Sequence, residues 1–373
     1  MQTLRITLKP LTAFATPLHG DTLFGQLCWA LRDRHGTAFL TACLQGYTAN
    51  DPFLVVADPF PSGYWPRPQL PSALITTGEK GAGEAREVDK KHVQPPGDKE
   101  EESAEERKVD KKRVWLPSRQ WQRPLPAWIG GNSVRTFAFN LCRQWQRPLP
   151  VWIGGCKDEK GIWNRQERQQ RPQPRNAINR LTGTTGSGAD GFAPYNVDQI
   201  WFPAGPEVLL DLWLLHDPAR LPEEKLLTAL RDVGSSGYGK DASTGLGKFT
   251  LESDVDRDPL PRQKNSNAWL TLGFCAPQAG GFDPERSFYQ VFTRFGRHGA
   301  WAALTGNPYK SPVLLARAGA VLTPRAFVDR PFIGRGLGGD GTLSRVIPET
   351  VHQGYCPVVG IQMPWKEMEV SCG

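Results

Sequence analysis

Residues 222–252 narrow the possible folds most. "PEEKLLTALRDVG" carries the apolar spacing of a helix, with Pro222 near its first turn and Gly234 at its expected end. "VGSSGYGKDASTGLGKF" (233–249) follows, and "GKFTLES" leaves it as a strand. Gly234, Gly239 and Lys240 satisfy G-x-x-x-x-G-K, the opening of a phosphate-binding loop. Such a loop needs a strand before it and a helix after it, because the helix N-terminus holds the phosphates. Here the order is reversed, and Asp241 stands where a magnesium-binding Ser or Thr belongs. An ATP site is not expected, nor is any cofactor. Gly234, Gly237, Gly239, Gly245 and Gly247 exceed what one turn requires, and exposed N–H groups beside Lys240 and Lys248 suit a phosphate backbone. The plain alternative is a run of glycines that ends a helix and turns the chain.

The N-terminal stretch has a similar grammar. "LRITLKPLTAF" alternates apolar and polar residues from Leu4 to Leu8, and "DTLFGQLCWALRDRHG" puts Leu23, Phe24, Leu27 and Leu31 on one helical face. Asp21 reads as the N-cap and Gly36 as the stop. "FLVVADPFP" reads as a second strand ended by Pro59 and Pro61, and "EVLLDLWLLHD" as a third after a long insertion. Strand, helix, strand, insertion, strand, helix, glycine loop, strand is the order of a ferredoxin-like fold, the plan of RNA-recognition modules. "NAWLTLGFC", "PVLLARAGAVLT" and "CPVVGIQM" read as strands of a second domain, while "PERSFYQVFTRFG" reads equally as helix or extended segment. The expected fold class is α+β: two ferredoxin-like (RRM-like) domains with glycine-rich loops and a large insertion in the first. Residues 1–60 and 205–255 make the first domain, 61–204 the insertion, and 256–373 the second.

The insertion changes composition abruptly. From Gly78 to Arg113 it is Lys, Glu, Asp, Gly and Pro with almost nothing apolar, so a mobile loop is expected. "REVDKKHV" (86–93) returns as "RKVDKKRV" (107–114), and "RQWQRPLPAWIGG" (119–131) as "RQWQRPLPVWIGG" (143–155). Two copies at different periods do not build a solenoid. Within the insertion Arg119, Arg123, Arg143, Arg147, Arg165, Arg168, Arg171, Arg175 and Arg180 interleave with Trp121, Trp128, Trp145, Trp152 and Trp163. Guanidinium matches phosphate and indole stacks on unpaired bases, a pattern suited to single-stranded nucleic acid. A small tryptophan core beneath a solvated arginine face is the alternative.

The chain of 373 residues has a formal net charge of +7, which favours acidic partners, nucleic acid first. Its seven cysteines are scattered and never form C-x-x-C, so neither a disulfide framework nor a zinc cluster is expected. No apolar run long enough to span a membrane occurs, and the start does not read as a secretion signal. The expected location is cytoplasmic, with no membrane partner.

Four stretches, "HGDTLFGQLCWAL" (19–31), "GYGKDASTGLGKF" (237–249), "GRGLGGDGTLS" (334–344) and "TVHQGYCPVV" (350–359), resemble the motifs of the RAMP proteins of CRISPR effectors. The resemblance is greatest to the fourth, guide-capping subunit of the type III-A Csm effector, and "RNAINRLTGTTG" (175–186) is similar to the segment preceding that family's RNA-contacting thumb. No counterpart is evident for 78–163 or for the residues from Pro364. The resemblance implies a subunit that holds the repeat-derived 5′ handle of the crRNA, contacts the large polymerase–cyclase-like subunit and abuts the first RAMP backbone subunit, without cutting RNA. It places Asn179, Arg180, Thr182, Lys240, Ser243, Lys248, Arg335, Gly338 and Gly339 against RNA, with surface or turn roles as the alternative for each.

Related RAMP proteins cleave RNA, so catalysis is the competing expectation. Metal-independent cleavage needs a base near the 2′-hydroxyl and a positive group for the developing charge. His19 and His352 are the candidates, and local hydrogen bonding at a helix entry and in a loop is their plain alternative. Clustered carboxylates for a two-metal nuclease are not evident, and Asp340 in "GGDGT" is solitary. No metal site is expected.

Overall fold

The computed structural model describes residues 1–62, 64–66, 68–70, 115–117, 169–185, 194–202, 208–258, 260–263, 265–277, 281–304, 307–363 and 365. The charged stretch 78–113, both duplications and the arginine–tryptophan run up to residue 168 lie outside the described residues, apart from the backbone of 115–117.

Strand β1 (Gln2–Pro10) buries Leu4, Ile6 and Leu8 and turns the residues between them outward. Helix α1 (Gly20–His35) buries Leu23, Phe24, Leu27 and Leu31, the face that the spacing predicts. Gly36 ends it at φ +88°, and helix α2 (Thr37–Leu44) with a 3-10 turn at Tyr47–Ala49 brings the chain back. The expected second strand is two short ones, β2 (Leu54–Val56) and β3 (Phe60–Pro61). They are separated by Ala57–Pro59, where Asp58 turns its carboxylate to helix α1 and Pro59 lacks an N–H. Strand β4 (Tyr64–Pro66) pairs with β5 (Trp115–Pro117), and β6 (Gln169–Arg175) pairs with β7 (Tyr195–Trp201) as a separate ribbon. Strand β8 (Leu210–His216), helix α3 (Glu223–Ser236) and β9 (Phe249–Asp256) complete this half.

The first sheet is antiparallel in the order β2-β8-β1-β9, with β3 also paired to β8. Helix α3 buries Leu226, Ala229, Leu230 and Val233 on one stripe, and these residues join the core of α1 and the sheet. Each buried Leu or Val side chain contributes about 1.5–3 kcal/mol of transfer free energy. Gly234 does not end α3 as its position suggested. It lies inside the helix, where a Cβ would sit 2.4 Å from the Phe249 carbonyl oxygen, and Gly237 at φ +100° is the stop. Close packing of helix on strand, not termination, requires that glycine.

The other half comprises β10 (Ala268–Thr271), β11 (Val291–Arg294), β12 (Val313–Ala316), β13 (Val321–Leu322), β14 (Phe332–Gly338) and β15 (Val351–Ile361). Its antiparallel sheet runs β13-β10-β15-β14, and β11 with β12 forms a ribbon. The segment that read either way is strand β11. "PVLLARAGAVLT" is not one strand but two, β12 and β13, because Arg317–Ala320 turns between them with Gly319 at φ +85°. Among the described residues no α-helix lies between Ala268 and Ile361. The whole is a mixed α/β protein of antiparallel sheets with few helices.

The two sheets share a core. Ala57, Phe60 and Trp213 pack with Leu270, Val359 and Ile361. Gln353 on β15 mimics a strand neighbour: its Nε2 donates to the Val56 carbonyl and its Oε1 accepts the Val56 N–H, both at 2.8 Å. These contacts fix β15 against the edge of the first sheet, next to the start of α1.

Candidate nucleic-acid interface

The glycine loop after α3 is folded onto residues 12–16. The Lys240 N–H donates to Thr16 Oγ1 and the Lys248 N–H to Thr12 Oγ1, both at 2.9 Å. The Gly247 N–H donates to the Ala13 carbonyl at 2.8 Å, and the Tyr238 N–H to the Gly247 carbonyl at 2.9 Å. Donors that the sequence suggested for phosphate are thus engaged within the protein. Gly239 and Gly247 permit the close approach: a Cβ there would lie 2.6 Å from Thr16 Cβ and 2.1 Å from the Tyr238 oxygen. What faces solvent is side chain. Lys240 and Ser243 are exposed, and Lys248 is half-buried.

Asp241 has a structural partner. Its carboxylate meets Arg175 Nη1 at 3.3 Å, and Arg175 Nη2 lies 3.4 Å from Thr244 Oγ1. The end of β6 is thereby tied to the glycine loop. Phe14 forms a bridge with Ile200 on the neighbouring strand β7. Beyond β6 the chain makes a compact turn. The Asn179 N–H donates to the Thr184 carbonyl, the Gly183 N–H to the Asn179 carbonyl, and Asn179 Oδ1 accepts the Leu181 N–H. Asn179 therefore shapes the turn with its own side chain. Arg180, Leu181 and Thr182 are exposed, and the Thr182 hydroxyl lies 2.9 Å from that of Thr184.

The start of α1 is built differently from its sequence reading. The cap position is His19, and Asp58 supplies the acceptor: its Oδ1 takes the Gly20 N–H at 2.8 Å while Oδ2 lies 3.3 Å from His19 Nδ1. Asp21, read as the cap, sits one position inside the helix with its side chain fully buried. Arg294 Nε and Nη2 donate to its two oxygens at 2.7 and 3.0 Å, and His352 Nε2 is 3.4 Å from Oδ2. Burial alone would raise the Asp21 pKa, but the hydrogen bond with His352 and the charge of Arg294 outweigh it and hold the carboxyl well below the usual range. The Arg294 guanidinium stacks 4.8 Å from both Phe274 and Phe292, and the His19 ring meets Phe274 edge-on at 4.7 Å. The His19 N–H donates to Tyr238 Oη at 3.1 Å, joining the helix start to the glycine loop.

Arg335, Gly338 and Gly339 lie on and just after β14. Arg335 is exposed. Its glycine neighbours are required by packing, because a Cβ at Gly336 would lie 2.4 Å from the Tyr47 carbonyl oxygen. Gly338 and Gly339 both have φ +83°, and the Gly339 N–H donates to the Thr350 carbonyl at 2.9 Å. Asp340 accepts hydrogen bonds from the Thr342 hydroxyl and N–H, which lower its pKa.

The structure gathers Lys240, Ser243 and Lys248 with the base of the β6–β7 ribbon, and gathers His19 with His352 around Asp21. Among the described residues no hydrogen bond or ion pair joins Arg335–Gly339 directly to the glycine loop; the two groups connect through α1 and β15. Among the described residues no cluster of three or more His, Cys, Asp and Glu side chains is arranged to hold a metal. No helix among them is long and apolar enough to cross a membrane. Sequence reasoning missed Asp58 and Arg294. The signal for Arg294 was its parity in "VFTRF": it shares the inward phase of Phe292, where a charge needs a partner.

No family model and no curated protein sequence matches the chain. Solved structures do. A chain of a Csm1–Csm4 cassette in complex with pppApA matches with TM-score 0.52 and 14% identity, over 98% of this chain and 99% of that one. A Csm1–Csm4 cassette with AMPPNP gives 0.51 and 16%, over 98% and 99%. A chain of the Csm3–Csm4 subcomplex of a type III-A CRISPR-Cas interference complex gives 0.52 and 12%, over 97% and 100%. The component named in all three is Csm4. The fold is similar to that of the chains in these Csm4-containing complexes.

Proposed function

We propose that this chain is a non-catalytic guide-RNA-binding subunit of a type III CRISPR effector. It holds the crRNA 5′ handle and joins the large polymerase–cyclase-like subunit to the RAMP backbone subunits. The observation that carries the reading is the fold correspondence along nearly the whole chain with proteins solved in two pairings, Csm1–Csm4 and Csm3–Csm4. The strand order β2-β8-β1-β9, with α1 after β1 and α3 between β8 and β9, supports a ferredoxin-like first domain of residues 1–60 and 205–255. Residues 61–204 are its insertion and 256–373 a second domain on its own antiparallel sheet, which among the described residues lacks the two helices of the ferredoxin-like plan expected for it. The setting is the cytoplasm.

In this reading Arg180, Lys240, Lys248 and Arg335 contact phosphates through side chains, and Ser243 and Thr182 add hydroxyl contacts. Asn179, Gly338 and Gly339 shape the backbone that presents them. Because charge supplies much of the affinity, binding weakens steeply with salt. The test is assembly: mixed with the large and backbone subunits from the same effector, the chain should form a ternary complex whose stability requires the handle. Two independent binary complexes indifferent to RNA would contradict the reading.

A second reading is a metal-independent crRNA-processing endoribonuclease using His19 and His352. The observation favouring it is that His352 contacts Asp21 while His19 stands two residues away at the same helix start. Cleavage of a repeat RNA that persists in chelator and disappears with His19→Ala would establish it.

A further inference from the structure

We infer that the β11–β12 ribbon docks an extended, acidic and apolar segment of a protein partner, which adds as a strand to the open edge of β11. The ribbon has two unlike sides. Inward, Phe292 and Leu315 pack with Phe274 and Leu337, and Arg294 reaches Asp21. Outward, Val291, Phe295 and Leu314 are 60%, 76% and 67% exposed. Leu314 lies opposite Thr293, midway between the other two, so the three side chains share one face.

Among the described residues the edge is open as well: strand β11 pairs with β12 alone. The Arg317 N–H donates to the Gln290 carbonyl at 3.0 Å, which sets the alternation: the amides of Val291 and Thr293 point away from β12. Such an edge is a template for strand addition, and proteins that leave it uncovered blunt it with charge, proline or a bulge. Val291, Thr293 and Phe295 supply none of these on the outward face.

Charge selects the occupant. The Arg317 guanidinium lies 4.8 Å over Phe292 and that of Arg297 5.8 Å over Tyr309, and neither meets a carboxylate among the described residues. A segment alternating apolar and acidic side chains would lay its apolar side chains on the Val291–Leu314 face and turn its acidic ones to the opposite side, where Arg317 lies over Phe292. RNA fits less well, because only Phe295 of the three offers a ring on which a base could stack, while Val291 and Leu314 are aliphatic. A second copy of this chain would bring like charges together.

This surface rests on the reading above only for the proteins used as probes, the large and backbone subunits of the effector. The experiment is hydrogen exchange of the β11 amides in the full chain: alone over a concentration series, with handle RNA, and with each subunit. The expected result is at least tenfold slowing at Val291 and Thr293 with one subunit. It should weaken in Arg317→Glu and vanish in Val291→Glu/Leu314→Glu, which should keep the wild-type unfolding midpoint and handle binding. Slowing with RNA alone, slowing that grows with chain concentration, or slow exchange already present in the isolated chain would overturn it. So would unslowed amides in an assembled complex, or failure to bind either subunit. Loss of handle preference with the β11 amides still protected would instead defeat the proposed function and leave this surface standing.

Discussion

Asp21 and Arg294 form a two-point ion pair that fastens helix α1 to the β11–β12 ribbon, with N–O distances of 2.7 and 3.0 Å. Asp21 is fully buried and Arg294 is 14% exposed, so water screens the pair little. Asp21→Asn removes the countercharge and leaves the guanidinium nearly buried. The expected cost is about 3–5 kcal/mol, because breaking one side of a buried pair strands the other charge. Urea unfolding of the variant and the wild type measures it, and coincident midpoints would contradict the pairing.

The same carboxyl predicts the acid response. Its folded pKa lies below the unfolded value of about 3.9. A depressed carboxyl contributes stability that is whole above the unfolded pKa and is lost as pH falls through the folded one. The stability gap between wild type and Asp21→Asn should therefore be constant from pH 7 to about 5 and narrow below about 4. A gap that widens on acidification would refute the assignment. Chemical denaturation at stepped pH reads this directly.

Two glycines of one loop should respond differently to alanine. Gly245 has φ +91° and nothing within 4 Å of a built Cβ, so Gly245→Ala meets only backbone strain, about 1–2 kcal/mol. Gly247 has φ +74° and a Cβ that would strike the Tyr238 oxygen at 2.1 Å, so Gly247→Ala should cost clearly more and displace the loop from Thr12. Equal losses in thermal stability would mean that the loop does not pack as described.

These glycines also mark where sequence ceases to be readable. Periodicity reported β1, α1 and α3 well, because each is amphipathic and its buried face is written in its own residues, and β8 was legible as an apolar run, buried along its whole length. Gly36 as a stop was local information too. Gly234 was misread as a stop because its reason is Phe249, on another element. Asp21 was misread as a cap for the same kind of reason: Asp58, from the β2–β3 connection, caps the helix, and Arg294 claims Asp21. The N–H groups of the glycine loop suggested a phosphate cradle until Thr12 and Thr16 appeared as their acceptors. Long-range partners are what a single sequence conceals.

For the interface residues the expected signature is electrostatic. Lys240→Ala, Arg335→Ala and Arg180→Ala should each weaken RNA binding and lower the slope of log affinity against log salt by about 0.7, the value for one single-strand phosphate contact. Their side chains are exposed, so stability should change by less than about 0.5 kcal/mol. Arg175→Ala should act differently, loosening β6 from the glycine loop by removing the Asp241 pair. Faster amide exchange within β6, with an unchanged salt slope, would separate this anchoring role from direct contact.

The most direct measurement compares one labelled RNA carrying the repeat-derived 5′ handle with the same RNA scrambled in that segment, titrated with the full chain across a salt series. The account predicts tighter binding of the intact handle, a preference that survives as salt rises, and no shortened RNA. Equal affinity for both RNAs, or handle-dependent cleavage abolished by His19→Ala, would contradict it.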